Sequence, residues 1–126
     1  MTTIRIAGVI IEKDGKILFN KRKCAPGIGK LDLVGGFVNA EETPEHAAVR
    51  EVQEETGYIV HVISKIYFGN YFEREEKEMH LFSAEIIGGT EISSEEGNPT
   101  WKAKEELSER DFAFSYIYPL LKRRVL

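Results

Sequence analysis

The sequence predicts a single α+β domain, in a mixed α/β arrangement, that spans residues 1–126. Apolar β-branched runs separated by glycine and proline turns predict several strands, one internal segment carries helix start and stop signals, and an amphipathic segment closes the chain. A chain of 126 residues can bury one hydrophobic core without disulfides or a structural metal. We therefore expect one domain and no separate linker.

The N-terminal part is predicted to begin with a β-hairpin. Asp14-Gly15 lies between two apolar runs, and both residue types tolerate the positive φ that a type I′ turn requires. Pro26, Gly27 and Gly29 then predict a loop. The three strands expected in this part are residues 4–12, 16–20 and 30–34, the last of them ending at Gly35-Gly36.

A helix is predicted between Thr43 and Gly57. Thr43 suits the N-cap, Pro44 suits the first turn because its missing N–H costs nothing there, and Gly57 supplies the stop. Downstream, apolar runs predict strands over residues 58–72 and 79–87, with the charged run 73–78 as a solvated turn. Loops are expected at residues 88–89 and 97–99, and a closing helix over residues 115–124.

Composition narrows the possible functions. The formal charge of −4 and the absence of a basic patch argue against a nucleic-acid-binding protein. No apolar run approaches the roughly 18 residues that cross a membrane, so no membrane partner is expected. Cys24 is the single cysteine, which excludes an intramolecular disulfide. With no secretory pattern at the N-terminus, these features predict a cytoplasmic protein.

Three glutamates share one stripe of the predicted helix. At ~100° per residue, Glu51, Glu54 and Glu55 fall within an arc of roughly 100°, where their charges repel one another. Such crowding suits a hard divalent cation, because Mg²⁺ prefers carboxylate oxygens. Arg50 precedes Glu54 by four residues and can orient that carboxylate, or it can reach Glu51 or Glu42 through the fold. A solvated acidic face is the alternative interpretation.

The surrounding spacing resembles the Nudix box. Gly36 is followed after five residues by Glu42, and after seven more by the run Arg50-Glu51-Val52-Gln53-Glu54-Glu55-Thr56-Gly57-Tyr58. Every fixed position of the family pattern is met when Tyr58 is counted as apolar. The resemblance implies an α/β/α sandwich with a mixed central sheet, in which the box forms a loop, a helix and a second loop.

The resemblance also implies roles for these residues. Glu51, Glu54 and Arg50 match catalytic positions, with Arg50 orienting a box glutamate. The Gly35 carbonyl and the glutamates at 51, 54 and 55 match the metal ligands, which would hold Mg²⁺ or, as a substitute, Mn²⁺. Gly36, Glu42 and Gly57 match structural positions of the box.

A weaker similarity extends to the family's small nucleoside-triphosphate pyrophosphohydrolases. It implies that Arg22 lies near the substrate phosphates, although a solvated strand end is an equally good interpretation. It further implies that Glu96 is an additional metal ligand or base, with Glu95 as the substitute and an exposed loop glutamate as the alternative. His46, His61 and His80 lack metal-ligand spacing and are expected to be structural or exposed.

The reaction implied is attack by a metal-activated water on phosphorus in a small nucleotide. Because signatures of other subgroups are absent, a (deoxy)nucleoside triphosphate, cleaved to a monophosphate and pyrophosphate, is the leading substrate. ADP-ribose and dinucleoside polyphosphates are alternatives, as is a non-catalytic nucleotide-sensing domain. The aromatic run Tyr67, Phe68, Tyr71 and Phe72 could line a base pocket or support a homodimer.

Overall fold

The computed structural model describes residues 3–72 and 76–126, without the side chains of residues 71 and 72. Within these residues the chain forms six strands and two α-helices, together with two short 3₁₀ turns. The strands are β1 Ile4–Lys13, β2 Lys16–Arg22, β3 Leu31–Phe37, β4 Tyr58–Phe72, β5 Glu76–Gly89 and β6 Gly97–Ala103, and the helices are α1 Pro44–Thr56 and α2 Ile117–Arg124.

The six strands form one mixed sheet in the order β4-β5-β1-β3-β2-β6. Strands β1 and β5 run parallel, whereas the other neighbouring pairs are antiparallel. Helix α1 packs Ala47, Ala48 and Val52 against one face, and α2 packs Ile117 and Leu121 against the other. The predicted α/β/α sandwich with a mixed central sheet is therefore confirmed. No helix in the described ranges has the length and apolar character needed to cross a membrane.

Strand alternation decides which side chains reach each helix. In β2, Ile17 and Phe19 belong to the core beneath α2, whereas Leu18 belongs to the core beneath α1. In β3, Leu33 and Val34 divide between the two cores in the same way. Polar residues further along these strands follow the same alternation. It therefore determines on which face of the sheet the side chains of the functional site lie.

The predicted hairpin turn and the predicted boundaries of helix α1 are confirmed. Asp14 and Gly15 both have positive φ, at 54° and 76°. The Thr43 hydroxyl oxygen accepts a hydrogen bond from the backbone N–H of His46 at 3.1 Å, which caps the start of α1. Gly57, at φ 81°, donates its N–H to the Gln53 carbonyl at 2.9 Å and ends the helix.

Several strand boundaries differ from the prediction, because backbone pairing carries strands through turn-forming residues. Strand β3 continues past Gly35-Gly36, which pair with Gly8 and Ala7 of β1. Gly97 to Pro99 were expected to form a loop but pair with β2, and β6 is an edge strand where a proline is tolerated. Likewise, residues 76–78 and 88–89 belong to β5, α2 begins at residue 117 rather than 115, and residues 73–75 of the expected turn lie outside the described residues.

Candidate active site

A cavity of about 490 Å³ opens between α1, the β1–β3 part of the sheet and the segment before α2. One part of its wall is acidic. Glu51 and Glu55 come from successive turns of α1, and Glu96 comes from the loop before β6. Another part is apolar and aromatic. The residues that line the cavity include Ile6, Asn20, Arg22, Asp32, Leu33, Glu51, Glu55, Lys77, Met79, Glu96, Phe114 and Tyr116.

Glu55 is the most deeply buried carboxylate of the cavity, at 4% exposure. Its Oε1 accepts a hydrogen bond from the Gly35 N–H at 2.7 Å. Burial raises the pKa of Glu55 to about 9, and the negative charges of Glu51, Glu96 and Asp32 act in the same direction. Glu55, Glu51, Glu96 and Asp32 thus lie close enough for their charges to interact. The charged form of Glu55 is strongly disfavoured unless a cation is present.

Backbone conformation explains the glycine at position 35. Gly35 has φ 143°, in the region that favours glycine, and a Cβ there would overlap the Ala7 carbonyl oxygen of the neighbouring strand. This close approach of β1 and β3 lets the Gly35 N–H point away from the sheet ladder and toward Glu55. The predicted role of its carbonyl as a metal ligand stays a prediction.

Glu51 lies one turn earlier on α1, and its carboxylate packs directly on Gly36. A Cβ at position 36 would lie 2.5 Å from Glu51 Cδ, so only glycine leaves room for this carboxylate. Burial raises the pKa of Glu51, while Arg50 lowers it and Glu54 and Glu96 raise it. The paired glycines of β3 therefore hold one α1 carboxylate each.

Arg50 connects the helix to the loop that precedes it. Its guanidinium donates to Glu42 from Nε and Nη2 at 2.7 and 2.8 Å, to Glu51 at 2.9 Å and to Glu54 at 3.1 Å. Nη2 also donates to the Phe37 carbonyl at 3.0 Å. The sequence left open which carboxylate Arg50 contacts; it contacts all three. Its hydrogen bonds, with one from the Asn39 N–H, lower the pKa of Glu42 to about 2.

The other acidic candidates occupy different positions. Glu54 does not line the cavity; its side chain is 57% exposed and accepts a hydrogen bond from Arg50. Glu96 lines the cavity, held by a backbone hydrogen bond from Lys23 N–H to its carbonyl at 3.0 Å. Glu95 is exposed and does not line it. Between the two loop glutamates, Glu96 is therefore the one that faces the cavity.

Arg22 also lines the cavity, and it is fixed by groups that sequence reasoning missed. Its Nη1 donates to Asp32 at 2.9 Å, its Nε donates to the Pro26 carbonyl at 2.6 Å, and the guanidinium lies 5.3 Å from the centre of the Phe114 ring. Burial raises the pKa of Asp32, and Arg22 opposes that shift. The sequence did hold a signal for Asp32, because it alternates with Leu31 and Leu33. Those two leucines belong to the core beneath α2, so Asp32 lies on the other face of the sheet, where the α1 carboxylates are.

Phe114 and Tyr116 form the aromatic wall of the cavity, with ring centroids 6.2 Å apart and nearly parallel planes. These residues precede α2 and were also missed. Of the aromatic run considered from sequence, Tyr67 and Phe68 do not line this cavity, and the side chains of residues 71 and 72 lie outside the described part of the structure. A cavity that is lined by both acidic and aromatic side chains suits a ligand with a phosphate chain and a flat ring.

Comparison with known proteins identifies the family. A family model described as the NUDIX domain matches residues 1–120. The chain belongs to the Nudix family. Among curated proteins, the mouse oxidized purine nucleoside triphosphate hydrolase is 32% identical over 121 residues, covering 92% of this chain and 78% of that protein. The ADP-ribose pyrophosphatase of Methanocaldococcus jannaschii is 45% identical over 83 residues, covering 64% of this chain and 49% of that protein.

Solved structures agree with this assignment. A NUDIX hydrolase from Nitrosomonas europaea superposes with a TM-score of 0.85 at 29% identity, covering 98% of this chain and 70% of that one. The prediction of a Nudix-type hydrolase is therefore confirmed for family, fold class and enzyme status. The roles of individual residues of the Nudix box stay predictions, which the geometry above makes specific.

The donor set of this Nudix domain suits a hard divalent cation. Within residues 3–72 and 76–126 no three acidic, histidine or cysteine side chains converge into a ready-made metal site. The acidic wall nevertheless offers only oxygen donors. The negative charge of Glu96 raises the pKa of both Glu51 and Glu55, and that of Glu51 also raises the pKa of Glu55. Mg²⁺ keeps several waters and needs few direct protein ligands, so this arrangement fits it.

Proposed function

We propose that this Nudix enzyme hydrolyses a phosphoanhydride bond of a (deoxy)nucleoside triphosphate, releasing a nucleoside monophosphate and pyrophosphate with Mg²⁺ as the cofactor. The observation that supports this most directly is the cavity itself. It joins the carboxylates of Glu51, Glu55 and Glu96 to the guanidinium of Arg22 and to the aromatic wall. A triphosphate with a base needs these three kinds of surface.

The chain's own residues would act mainly by positioning. Mg²⁺ or Mn²⁺, held by Glu51, Glu54, Glu55, the Gly35 carbonyl and Glu96, would supply a nucleophilic water and neutralise charge on the reacting phosphoryl group. Arg50 holds Glu51 and Glu54 in one orientation through bonds of 2.9 and 3.1 Å. The water oxygen forms the new bond to phosphorus, the anhydride oxygen leaves with pyrophosphate, and a carboxylate oriented by Arg50 accepts the water proton.

Relatives support nucleotide-derived substrates without agreeing on one. One is named for oxidized purine nucleoside triphosphates and another for ADP-ribose. ADP-ribose would use the same phosphate subsite and is our second candidate, followed by dinucleoside polyphosphates. A non-catalytic nucleotide sensor is less compatible with a chain that retains every box carboxylate, including the buried Glu55.

The test is a panel of nucleoside triphosphates, oxidized purine triphosphates, ADP-ribose and dinucleoside polyphosphates, assayed with Mg²⁺ or Mn²⁺ and with every product identified by mass spectrometry. We expect pyrophosphate and a monophosphate from a triphosphate. Glu54→Gln should lower kcat by orders of magnitude, and Glu45→Gln, on an exposed position of the same helix, serves as the matched control. Tight binding of a nucleotide without turnover under either metal would favour the sensor.

We further propose that residues 1–126 act as a single Nudix domain in the cytoplasm, and that they can pair as a homodimer. The exposed apolar side chains of Ile59, Ile63 and Phe68 on β4 support the last point, because β4 is an edge strand of the sheet. Light scattering after size-exclusion chromatography measures the mass directly. A strictly monomeric mass at high protein concentration would exclude the dimer.

A further inference from the structure

Glu96 is the acidic residue of the cavity that lies in a loop. Glu51 and Glu55 are fixed on α1 and Asp32 on β3, whereas Glu96 belongs to residues 90–96, between β5 and β6. Burial raises the pKa of Glu51, Glu55 and Asp32, and the negative charge of Glu96 raises each of them further. Repulsion between these carboxylates favours a Glu96 side chain that turns out into solvent. Its place beside the others therefore depends on the contacts that fix the loop.

Ser94 fixes the turn that carries Glu96. Its Oγ accepts a hydrogen bond from the Glu96 N–H at 3.2 Å, and its own N–H donates to the Gly97 carbonyl at 3.0 Å. A serine hydroxyl that bonds the backbone two residues onward stabilises a tight turn. Ser93, the exposed neighbour of Ser94, takes part in neither bond. The turn therefore depends on a hydroxyl at position 94 and not on the serine before it.

Lys23 holds the same turn from just beyond the end of β2. Its N–H donates to the Glu96 carbonyl at 3.0 Å, and its Nζ donates to the Ser94 carbonyl at 2.8 Å. The backbone bond extends the ladder of β2 and β6 by one residue beyond the pairing of Arg22 with Gly97. Arg22 and Glu96, which both line the cavity, are therefore attached to neighbouring positions of one ladder.

We propose that Ser94 is a positioning residue for hydrolysis, whose hydroxyl holds the turn so that the Glu96 carboxylate faces the divalent cation, with Lys23 supporting the turn from β2. Ser94 does not line the cavity, so we expect it to act through Glu96. The proposal rests on the function proposed above, because it presumes that Glu96 is a ligand of the cation. Groups that orient a metal ligand commonly contribute about 10- to 100-fold to metal affinity or activity.

Four substitutions isolate the Ser94 hydroxyl. Ser94→Ala removes the acceptor, whereas Ser94→Thr keeps it. Ser93→Ala is the matched control, because it makes the same change one residue earlier in the loop. Lys23→Met removes the bond from Nζ to the Ser94 carbonyl and leaves the backbone bond to Glu96 in place.

The measurement is the Kd of Mn²⁺ for the protein without nucleotide, from the EPR signal of free Mn²⁺, beside the unfolding temperature of each metal-free variant. We expect Ser94→Ala to weaken Mn²⁺ binding about 10-fold. Lys23→Met should weaken it less, because the backbone bond from Lys23 remains. Ser94→Thr and Ser93→Ala should bind like wild type. With an active nucleotide, Ser94→Ala should need more Mg²⁺ for half of its maximal rate and should recover most of kcat at saturating Mg²⁺.

Glu96→Gln tests whether Ser94 acts through Glu96. Glu96→Gln alone should weaken Mn²⁺ binding, and adding Ser94→Ala to it should cause no further loss, since both changes remove the same interaction with the metal. A second loss of about 10-fold in the double variant would assign Ser94 to the general stability of the fold and overturn the proposal. Wild-type Mn²⁺ affinity in Ser94→Ala would overturn it as well.

The outcome is separable from that of the proposed function. Mn²⁺ binding needs no turnover, so it does not depend on which nucleotide of the panel is cleaved. If the wild-type protein hydrolyses a triphosphate while Glu96→Gln keeps wild-type Mn²⁺ affinity, the roles of Glu96 and Ser94 are refuted and the proposed reaction stands. A wild-type protein that binds no Mn²⁺ would refute both.

Discussion

Gly36→Ala should disable the enzyme while leaving the fold intact, because the atoms nearest to the new methyl group all belong to the Glu51 carboxylate. The added Cβ would lie 2.5 Å from Glu51 Cδ and 2.7 Å from each carboxylate oxygen. Ordinary contact between such atoms begins at about 3.4–3.5 Å, so the carboxylate must retreat by roughly 1 Å. A displacement of that size at a reacting centre can cost ~100-fold in rate.

The stability cost should be small by comparison. The atoms in the way are the end of a flexible side chain, and Gly36 has no positive φ for alanine to disturb. Replacing a strand glycine by alanine also lowers the entropy of the unfolded chain. We expect the unfolding temperature of Gly36→Ala to stay within about 5 °C of wild type.

The assay is kcat/KM with Mg²⁺ on the best substrate of the panel, together with a thermal unfolding curve. Gly88→Ala is the matched control, because a Cβ there meets only Ile59 at an ordinary 3.8 Å. We expect a ~100-fold loss for Gly36→Ala and none for Gly88→Ala. If Gly36→Ala retains more than half of the wild-type kcat/KM, the position of the Glu51 carboxylate against Gly36 does not matter for catalysis and the reasoning is refuted.

Three further changes test other parts of the account. Arg50 lowers the pKa of Glu42 to about 2, so the stabilising effect of Glu42 is present above about pH 4.5 and is lost as the pH falls toward 2. The difference in unfolding temperature between wild type and Glu42→Gln should therefore shrink over that pH range. Glu55→Gln keeps an oxygen that can accept from the Gly35 N–H but removes a buried ionisable group, so in EDTA the variant should unfold at a higher temperature than wild type. Mg²⁺ should raise the unfolding temperature of the variant less than that of wild type. If Mg²⁺ raises both unfolding temperatures equally, Glu55 is not part of the metal site. Gly57→Ala forces alanine to φ 81° against the Thr90 carbonyl and should lower the free energy of unfolding by about 1–2 kcal/mol or more in a denaturant titration; an unchanged midpoint would contradict the assigned helix cap.

Local signals made part of this structure predictable from sequence. The caps of α1 depend on residues next to one another in the chain, so Thr43 and Gly57 identified both ends correctly. The fixed spacing of the Nudix box identified the family, because its members lie within one loop and one helix. The sequence indicated that Arg50 contacts a carboxylate. It could not show that Arg50 contacts three of them, because Glu42 reaches Arg50 only when the loop before α1 folds back onto the helix.

Long-range pairing was not predictable in the same way. Asp32 and Asn20 become neighbours only through the register of β2 with β3, which the sequence does not encode in any short pattern. Phe114 enters the cavity from a segment more than fifty residues beyond the box, and its side chain reaches Arg22 across the fold. The prediction ended strands too early at glycine pairs, because a glycine pair indicates a turn when only the local sequence is considered. In the structure, Gly35 instead permits the close approach of β1 to β3.

The central claim is that the carboxylates on α1 carry a divalent cation that hydrolysis requires. The most direct measurement is the rate of pyrophosphate release from the best triphosphate after exhaustive chelation and again after Mg²⁺ is restored, for wild type and for Glu51→Gln in parallel. The account predicts that chelation abolishes turnover, that Mg²⁺ restores it in wild type, and that the variant stays at least ~100-fold slower. Full turnover in the chelator, or full recovery of Glu51→Gln with Mg²⁺, would contradict it.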